Sequence, residues 1–323
     1  MAISIRQSMR VEVSRRFFVA AGGLALAGCA TDVGPAASSQ SADFQIFDLW
    51  PGDPPGGDGV TAVETVVERS KDPSRPDRAV THVRKPTLKV FKPAKPDGSA
   101  VLILPGGAYQ RVVLDKEGDE TARRMAQSGV TAAVLVYRLP GDGWAAGIDA
   151  PLQDAMRAMR LIRSGKVAPG VSPTRCGVLG FSAGGHLAAN LAFRTGMASY
   201  PVVDLADSVS PRPDFAALIY PAYLDGKGAP TEAVGSTIMP NFLAMAQKGA
   251  QPMFLVHAAD DPSVPVANTL RLAEVLKAAG TPVETHIFET GGHGFGIANA
   301  GDKPARAWPD LFLAWGRARG IFG

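Results

Sequence analysis

Cys176-Gly-Val-Leu-Gly-Phe-Ser-Ala-Gly-Gly-His186 is the stretch that decides the fold of this chain. Its first half is apolar and typical of a buried strand, and residues 187–193 continue as an apolar helix. Between them, Gly180-Phe-Ser-Ala-Gly184 has the G-x-S-x-G spacing, in which a strand turns sharply into a helix and glycines leave room for a strained, exposed serine. We therefore predict a strand–turn–helix unit with Ser182 at its corner as a candidate nucleophile. A plain glycine-rich turn is the alternative interpretation.

The remainder of the chain alternates short apolar runs with helical patterns. The strands predicted from position 100 onward are 101–104, 132–137, 215–220, 253–258 and 283–288, and the helices are 116–128, 150–164, 266–279 and 303–319. Runs at 61–67 and 87–91 precede them and are expected to form an antiparallel start of the same sheet. Helices that alternate with continuous apolar strands are typical of a doubly wound α/β sheet, mostly parallel and covered by helices on both faces.

The first 29 residues have the features of an export signal. Arg15-Arg16 precedes an apolar run that ends at Gly28 and is too short to span a bilayer. The arginine pair resembles a Tat signal, and Leu26-Ala-Gly-Cys29 resembles a bacterial lipobox, whose cysteine is lipidated after cleavage. An ordinary cleaved signal is the alternative. We expect a signal segment over 1–29, a flexible tether over 30–42 and a single domain over 43–323, located in the periplasm or cell envelope.

Charge and cysteine content exclude several kinds of partner. The signal segment holds four of the 33 basic residues and one of the 30 acidic ones, so the exported chain has 29 of each. This balance argues against a nucleic-acid partner and leaves the predicted lipid anchor as the expected membrane contact. With Cys29 lipidated, Cys176 has no partner for a disulfide, and we expect it to be a small buried residue. The sequence shows no metal-ligand spacing, so neither a metal nor an organic cofactor is expected.

An activated serine needs an imidazole base and an acid that orients this base. Of the five histidines, His293 lies in a glycine-rich loop just after the last predicted strand, at the edge where the carboxyl ends of parallel strands meet. Structural roles are expected for the other four, which are His82, His186, His257 and His286. For the acid we prefer Asp261, because it is held just ahead of Pro265, which we expect to start a helix. Asp260 is the alternative, although it is better placed to bond neighbouring amides.

Acyl transfer also requires rigid N–H donors for the oxyanion. Pro105-Gly-Gly-Ala-Tyr109 follows the strand predicted at 101–104. The N–H group of Gly106 or Gly107 is therefore expected to act together with that of Ala183, the residue after the candidate nucleophile. Alone, the pentapeptide is also compatible with a simple glycine turn. The chain order Ser, Asp, His is that of an α/β-hydrolase triad and favours the catalytic interpretation.

Several motifs together resemble one family. They are Leu49-Trp-Pro51, Pro105-Gly-Gly-Ala-Tyr109, Tyr137-Arg-Leu139, Gly180-Phe-Ser-Ala-Gly-Gly-His186, Asp261-Pro-Ser-Val-Pro265 and Gly292-His-Gly294. Over nearly the whole exported chain, the sequence resembles the bacterial α/β-hydrolases of the acetyl xylan esterase and feruloyl esterase-like group. This resemblance implies an α/β-hydrolase fold with a sheet of about eight strands. It also implies a triad of Ser182, Asp261 and His293, and esters on carbohydrate, often acetyl esters, as substrates.

Two residues depart from related patterns. Relatives often have a third glycine where this chain has Ala108, and hormone-sensitive-lipase-like esterases have histidine at the position of Pro105. The expected function is hydrolysis of short-chain esters on a carbohydrate such as xylan, through an acyl-enzyme. The alternatives are a serine peptidase or feruloyl esterase of the same fold, and a non-catalytic binding lipoprotein. Residues 223–249 are long enough to cap the site, and Phe242 and Met245 either line an acyl pocket or, by default, pack their helix.

Overall fold

The computed structural model describes residues 43–323, apart from 197–199, 235–240, 247–249 and 298–300. The predicted signal segment with Arg15, Arg16 and Cys29 lies outside the described residues, as do the 30–42 tether and parts of the segment 223–249. Within the described ranges, every helix is too short or too polar to cross a bilayer.

The described strands form two sheets. In chain order they are β1 (Phe44–Asp48), β2 (Thr65–Glu68), β3 (Arg78–Thr81), β4 (Thr87–Phe91), β5 (Ala100–Leu104), β6 (Val112–Val113), β7 (Thr131–Val136), β8 (Cys176–Phe181), β9 (Ala216–Ile219), β10 (Met253–Ala258) and β11 (Val283–Phe288). The main sheet has the order β1-β4-β7-β5-β8-β9-β10-β11, and a small sheet has the order β2-β3-β6. β1, β4 and β7 are joined by antiparallel pairs, and all pairs from β7 to β11 are parallel. The predicted fold class, an eight-stranded and mostly parallel α/β sheet, is confirmed.

The strand predicted at 61–67 does not belong to the main sheet. The observed strand β2 pairs with β3 in the small sheet, and all four of its residues are exposed, so it contributes no face to the core. The antiparallel start of the main sheet is formed by β1 and β4 instead. Partly buried and fully buried side chains alternate along most of β4, as expected for a strand that packs one face against the core.

Helices cover both faces of the main sheet. They are α1 (Glu120–Gln127), α2 (Ala150–Arg163), α3 (Ala183–Phe193), α4 (Thr231–Val234), α5 (Phe242–Met245), α6 (Ala267–Ala278) and α7 (Trp308–Ala318). In β5, Leu102 and Leu104 join the core beneath α2 and α3, whereas Val101 and Ile103 join the core beneath α1 and α7. This division follows from the alternation of side chains along a strand.

Three predicted helices begin differently from expectation. A π-helical turn, Asp115–Asp119, precedes α1, and a 3₁₀ turn, Pro304–Ala307, precedes α7. α6 begins at Ala267, shortly after Pro265. The π-helical turn is the most consequential of these differences, because it redirects the side chains at the start of the predicted 116–128 helix.

Cys176 begins β8 with a fully buried side chain. Burial raises the pKa of its thiol to about 12. The thiolate is the reactive form of cysteine, so this thiol is inert near neutral pH. The observed position agrees with a small residue that packs the core.

Candidate active site

The turn between β8 and α3 holds Ser182 in a strained conformation. Ser182 has φ 53° and ψ −118°, outside the regions that side chains with a Cβ prefer. The flanking glycines permit this turn by close approach. A Cβ atom at Gly180 would overlap the carbonyl oxygen of Gly184, and one at Gly184 would overlap that of Leu104. The start of α3 therefore lies directly against the end of β5, and the serine is fixed at the carboxyl end of β8.

Ser182, His293 and Asp261 meet in one hydrogen-bonded relay. The Ser182 hydroxyl oxygen lies 3.0 Å from Nε2 of His293, and Nδ1 of the same ring lies 2.7 Å from Oδ2 of Asp261. When Asp261 is ionised, Nδ1 carries the ring proton and Nε2 accepts the hydrogen bond of the serine hydroxyl. The structure thus brings together the three residues selected from the sequence, in a geometry that allows an imidazole to take the serine proton.

The Asp261 side chain is fully buried and hydrogen-bonded at both oxygens. Oδ1 accepts the N–H groups of Ser263 at 2.8 Å and Val264 at 2.9 Å, and Oδ2 lies 3.2 Å from Nε2 of His257 in addition to its contact with His293. Burial alone would raise the pKa of Asp261, but the hydrogen bonds from His257 and His293 outweigh it and hold this pKa well below its usual range. Asp261 is therefore ionised near neutral pH and can orient the imidazole.

His257, buried in β10, is a second histidine in contact with this carboxylate. Its Nε2 is shared between Asp261 Oδ2 and the carbonyl oxygen of Val264, 3.1 Å away, and because both are acceptors this nitrogen carries the proton. Nδ1 then accepts a hydrogen bond from the Thr269 hydroxyl at 2.8 Å. His257 thus holds the candidate acid, a contact that the sequence did not reveal. Two of the remaining histidines pair with other carboxylates, the exposed His82 with Asp142 and the half-buried His286 with Glu284.

Asp260 has a different set of partners from Asp261. Its Oδ1 accepts the N–H groups of Gly291 at 2.8 Å and Gly292 at 2.7 Å. The hydrogen bond from Gly292, followed by that from Gly291, lowers the pKa of Asp260. These glycines lead directly into His293, so Asp260 fixes the loop, whereas Asp261 bonds the imidazole itself.

In the loop after β5, the two glycines that are alternative oxyanion donors differ in the partners of their N–H groups. The Gly106 N–H donates to Oε2 of Glu117 at 2.8 Å, so Gly106 is removed from the set of candidate donors. Gly107 has φ 137°, and a Cβ atom there would overlap the carbonyl oxygen of Arg111. No described residue accepts a hydrogen bond from the N–H of Gly107 or of Ala183. These two amides therefore remain as the candidate pair.

Ala108 adopts a conformation that suits glycine. Ala108 has φ 56° and Tyr109 has φ 59°, in the left-handed region, where a side chain with a Cβ costs roughly 1–2 kcal/mol. Tyr109 is fully buried, and its hydroxyl lies 2.7 Å from Nδ1 of His186. Burial and hydrogen bonding of Tyr109 thus stabilise the left-handed backbone of this loop, although position 108 is alanine and not glycine.

The face of α3 behind this loop is buried and closely packed. His186 is fully buried, with Tyr109 and Asn190 both bonded to its Nδ1, and burial lowers its pKa to about 3, so the ring is neutral. The ring of Phe242, also fully buried, lies 5.0 Å from that of His186. Met245 is half-buried against the same core. Phe242 therefore packs α5 against α3, in agreement with the default interpretation.

Comparison with known proteins identifies two relatives whose names refer to xylan. The chain is 28% identical over 231 residues to an acetylxylan esterase of Xylanibacter ruminicola, an alignment that covers 66% of this chain and 44% of that protein. It is 27% identical over 209 residues to endo-1,4-beta-xylanase B of Butyrivibrio fibrisolvens, covering 62% of this chain and 33% of that protein. The chain thus spans less than half the length of these curated relatives.

Solved structures are similar over most of both chains. An acetyl ester-xyloside bifunctional hydrolase from Caldicellulosiruptor lactoaceticus is 29% identical with a TM-score of 0.65, covering 86% of this chain and 97% of that one. A thermophilic esterase from Thermogutta terrifontis is 26% identical with a TM-score of 0.64, covering 84% and 96%. The family model described as the prolyl oligopeptidase family matches residues 147–315, more than half of the chain and the part that holds all three relay residues. The chain therefore belongs to the prolyl oligopeptidase family of α/β-hydrolases.

Proposed function

We propose that this chain is a serine esterase that hydrolyses short-chain esters, chiefly acetyl esters, on plant cell-wall carbohydrate such as xylan. The observation that carries the proposal is the relay, in which His293 lies 3.0 Å from the Ser182 hydroxyl and 2.7 Å from the Asp261 carboxylate. The acetylxylan esterase and the acetyl ester-xyloside hydrolase among its relatives support an acetylated carbohydrate as the substrate.

Acylation begins with Ser182. Its Oγ attacks the ester carbonyl carbon while Nε2 of His293 takes the hydroxyl proton, and Asp261 stabilises the imidazolium that forms. The N–H groups of Gly107 and Ala183 donate to the oxyanion of the tetrahedral intermediate. When this intermediate collapses, the ester C–O bond breaks, His293 gives its proton to the departing sugar hydroxyl, and Ser182 keeps the acyl group.

Deacylation repeats these steps with water. His293 takes a proton from a water molecule, whose oxygen attacks the acyl carbon of the Ser182 ester. The second tetrahedral intermediate releases the carboxylic acid as the proton returns to Ser182 Oγ. The cycle consumes one ester and one water, and it uses only groups present in this chain.

A serine peptidase is the second candidate function, because the matching family model is that of the prolyl oligopeptidases. The relay geometry does not separate the two activities, since the same groups act on esters and amides. The two similar solved structures named above are those of an acetyl ester-xyloside hydrolase and an esterase, which favours the esterase.

Substrate comparison tests the proposed function. We expect acetate release from acetylated xylo-oligosaccharides, and turnover of p-nitrophenyl acetate at least about 10²-fold faster than that of peptide p-nitroanilides, because the similar solved structures are those of an acetyl ester hydrolase and an esterase. Liquid chromatography of released acetate and absorbance of nitrophenol measure the rates, with feruloylated oligosaccharides as a matched substrate. Faster cleavage of the anilides would favour the peptidase instead, and absence of turnover of all these substrates would contradict the proposed esterase.

We also propose that the chain is exported and anchored through a lipid on Cys29. The support is the Leu26-Ala-Gly-Cys29 sequence after the arginine pair. We expect the full-length protein to fractionate with membranes, and the Cys29→Ser variant to move to the soluble fraction, because the thiol needed for lipidation is gone. Mass spectrometry of the mature N-terminus provides the second measurement. An unmodified Cys29 in the wild-type protein would contradict the anchor.

A further inference from the structure

Glu117 is a buried acid next to the relay that the proposed reaction does not use. It is 3% exposed and lies in the π-helical turn before α1. Such turns are rare and frequently occur at functional sites. Its charged neighbours in the turn form ion pairs with residues outside the turn. These pairs are Asp115 with Arg78, Lys116 with Asp77 and Asp119 with Lys89. Among the described residues, no lysine or arginine forms an ion pair with Glu117.

The Glu117 carboxylate links two loops by hydrogen bonds. Oε2 accepts the Gly106 N–H at 2.8 Å, and Oε1 accepts the Tyr220 hydroxyl at 3.0 Å. The Tyr220 oxygen in turn accepts the Gly296 N–H at 3.1 Å. One continuous chain of bonds therefore runs from the loop after β5 to the loop that carries His293.

Both ends of this bridge touch the relay. A Cβ atom placed on Gly106 would lie 3.0 Å from Cβ of Ser182, so this glycine packs directly against the nucleophile. At the other end, the Tyr220 ring packs edge-on against the His293 ring, with 5.0 Å between their centroids. A shift of either end would move the oxyanion amide relative to the imidazole.

Burial of a carboxylate without a cation is costly unless hydrogen bonds satisfy it. An apolar side chain of similar volume would fill the same space without this cost, but it would not restrain the Gly106 amide or the Tyr220 hydroxyl. The hydrogen bonds at both carboxylate oxygens thus fix the orientation of the Gly106 amide and of the Tyr220 hydroxyl, which packing alone would not do.

We propose that Glu117 is a positioning residue for the esterase reaction: it holds the Gly106 peptide so that the next amide, that of Gly107, is presented to the oxyanion, and through Tyr220 it fixes this amide relative to His293. The inference rests on the proposed function. Glu117 itself touches neither the substrate nor the reacting atoms.

A double-mutant cycle tests this bridge. In Glu117→Gln, the amide oxygen can still accept from the Gly106 N–H. The NH₂ group then faces Tyr220 and cannot accept its hydroxyl proton, so the hydrogen bond from Tyr220 is lost. Tyr220→Phe removes the same hydrogen bond from the other side. We expect each single variant to lower kcat for p-nitrophenyl acetate by about 10-fold to 10²-fold, less than the outright loss of an oxyanion donor, with KM changed less than about threefold. The double variant should be no slower than the slower single variant, because one link can be broken only once.

Rates are expressed per active site titrated with a fluorescent phosphonate, so that misfolded protein does not count. Asp115→Asn is the matched control, because Asp115 lies in the same turn but bonds Arg78; it should leave kcat per titrated site unchanged. Unchanged kcat in both single variants, or effects that multiply in the double variant, would overturn the inference. A Ser182→Ala variant as active as the wild type would instead overturn the proposed function itself.

Discussion

Replacing Ser182 by alanine is expected to lower kcat for acetyl esters by about 10⁵-fold to 10⁶-fold, because the variant has no oxygen to attack the ester carbonyl. The fold should persist, since the close contacts of Gly180 and Gly184 that form the turn do not involve the hydroxyl. Some residual rate above that of water is expected, because the Gly107 and Ala183 amides remain in place. Steady-state kinetics with p-nitrophenyl acetate measure the loss.

Ser172→Ala provides the control for this variant. The Ser172 hydroxyl bonds Thr174 before the start of β8, so its removal should leave kcat unchanged. A phosphonate should label the wild type and the control with one adduct, located on the peptide that contains Ser182, and should not label Ser182→Ala. Equal rates of ester hydrolysis in Ser182→Ala and wild type would exclude Ser182 as the nucleophile.

Local sequence signals were sufficient to select the serine and the histidine. Backbone atoms approach the glycines around Ser182 so closely that no Cβ atom would fit there. This requirement produces the fixed G-x-S-x-G spacing that is visible in the sequence. His293 follows the last parallel strand, and the carboxyl ends of parallel strands lie at one edge of the sheet. Both inferences rest on short-range pattern and on chain order, which do not depend on knowing the packing.

Non-local contacts were not predictable in the same way. Gly106 and Gly107 are adjacent and equally permissive in sequence, and only the bond from the Gly106 amide to Glu117 separates their roles. The sequence predicts Glu117 at the start of the 116–128 helix, but the π-helical turn shifts the register and turns this acid inward. The exposed strand β2 likewise depends on its partner β3, because its own four residues do not specify which sheet they join.

The second large effect on kcat is expected from substitution of Asp261. Its neighbour Asp260 provides the matched control. Asp261→Asn should lower kcat by about 10⁴-fold, because the asparagine NH₂ group can donate to Nδ1 of His293 and move the ring proton to Nε2. An Nε2 that carries a proton cannot take another from Ser182. The loop should stay in place, since the asparagine oxygen can still accept from the Ser263 and Val264 amides, but the NH₂ group replaces the acceptor of the His257 Nε2 proton as well as that of His293.

Asp260→Asn should lower kcat by less than about 10-fold, because only an oxygen is needed to accept the Gly291 and Gly292 amides, and asparagine retains one. The two variants remove the same charge at adjacent positions, so Asp260→Asn serves as the control for the loss of a negative charge close to His293. A difference of about 10³-fold between them is the effect expected from the bond that Asp261 makes to the imidazole. The reverse order, with Asp260→Asn the slower enzyme, would make Asp260 the acid of the relay and would require the His293 ring to turn away from Asp261 during the reaction.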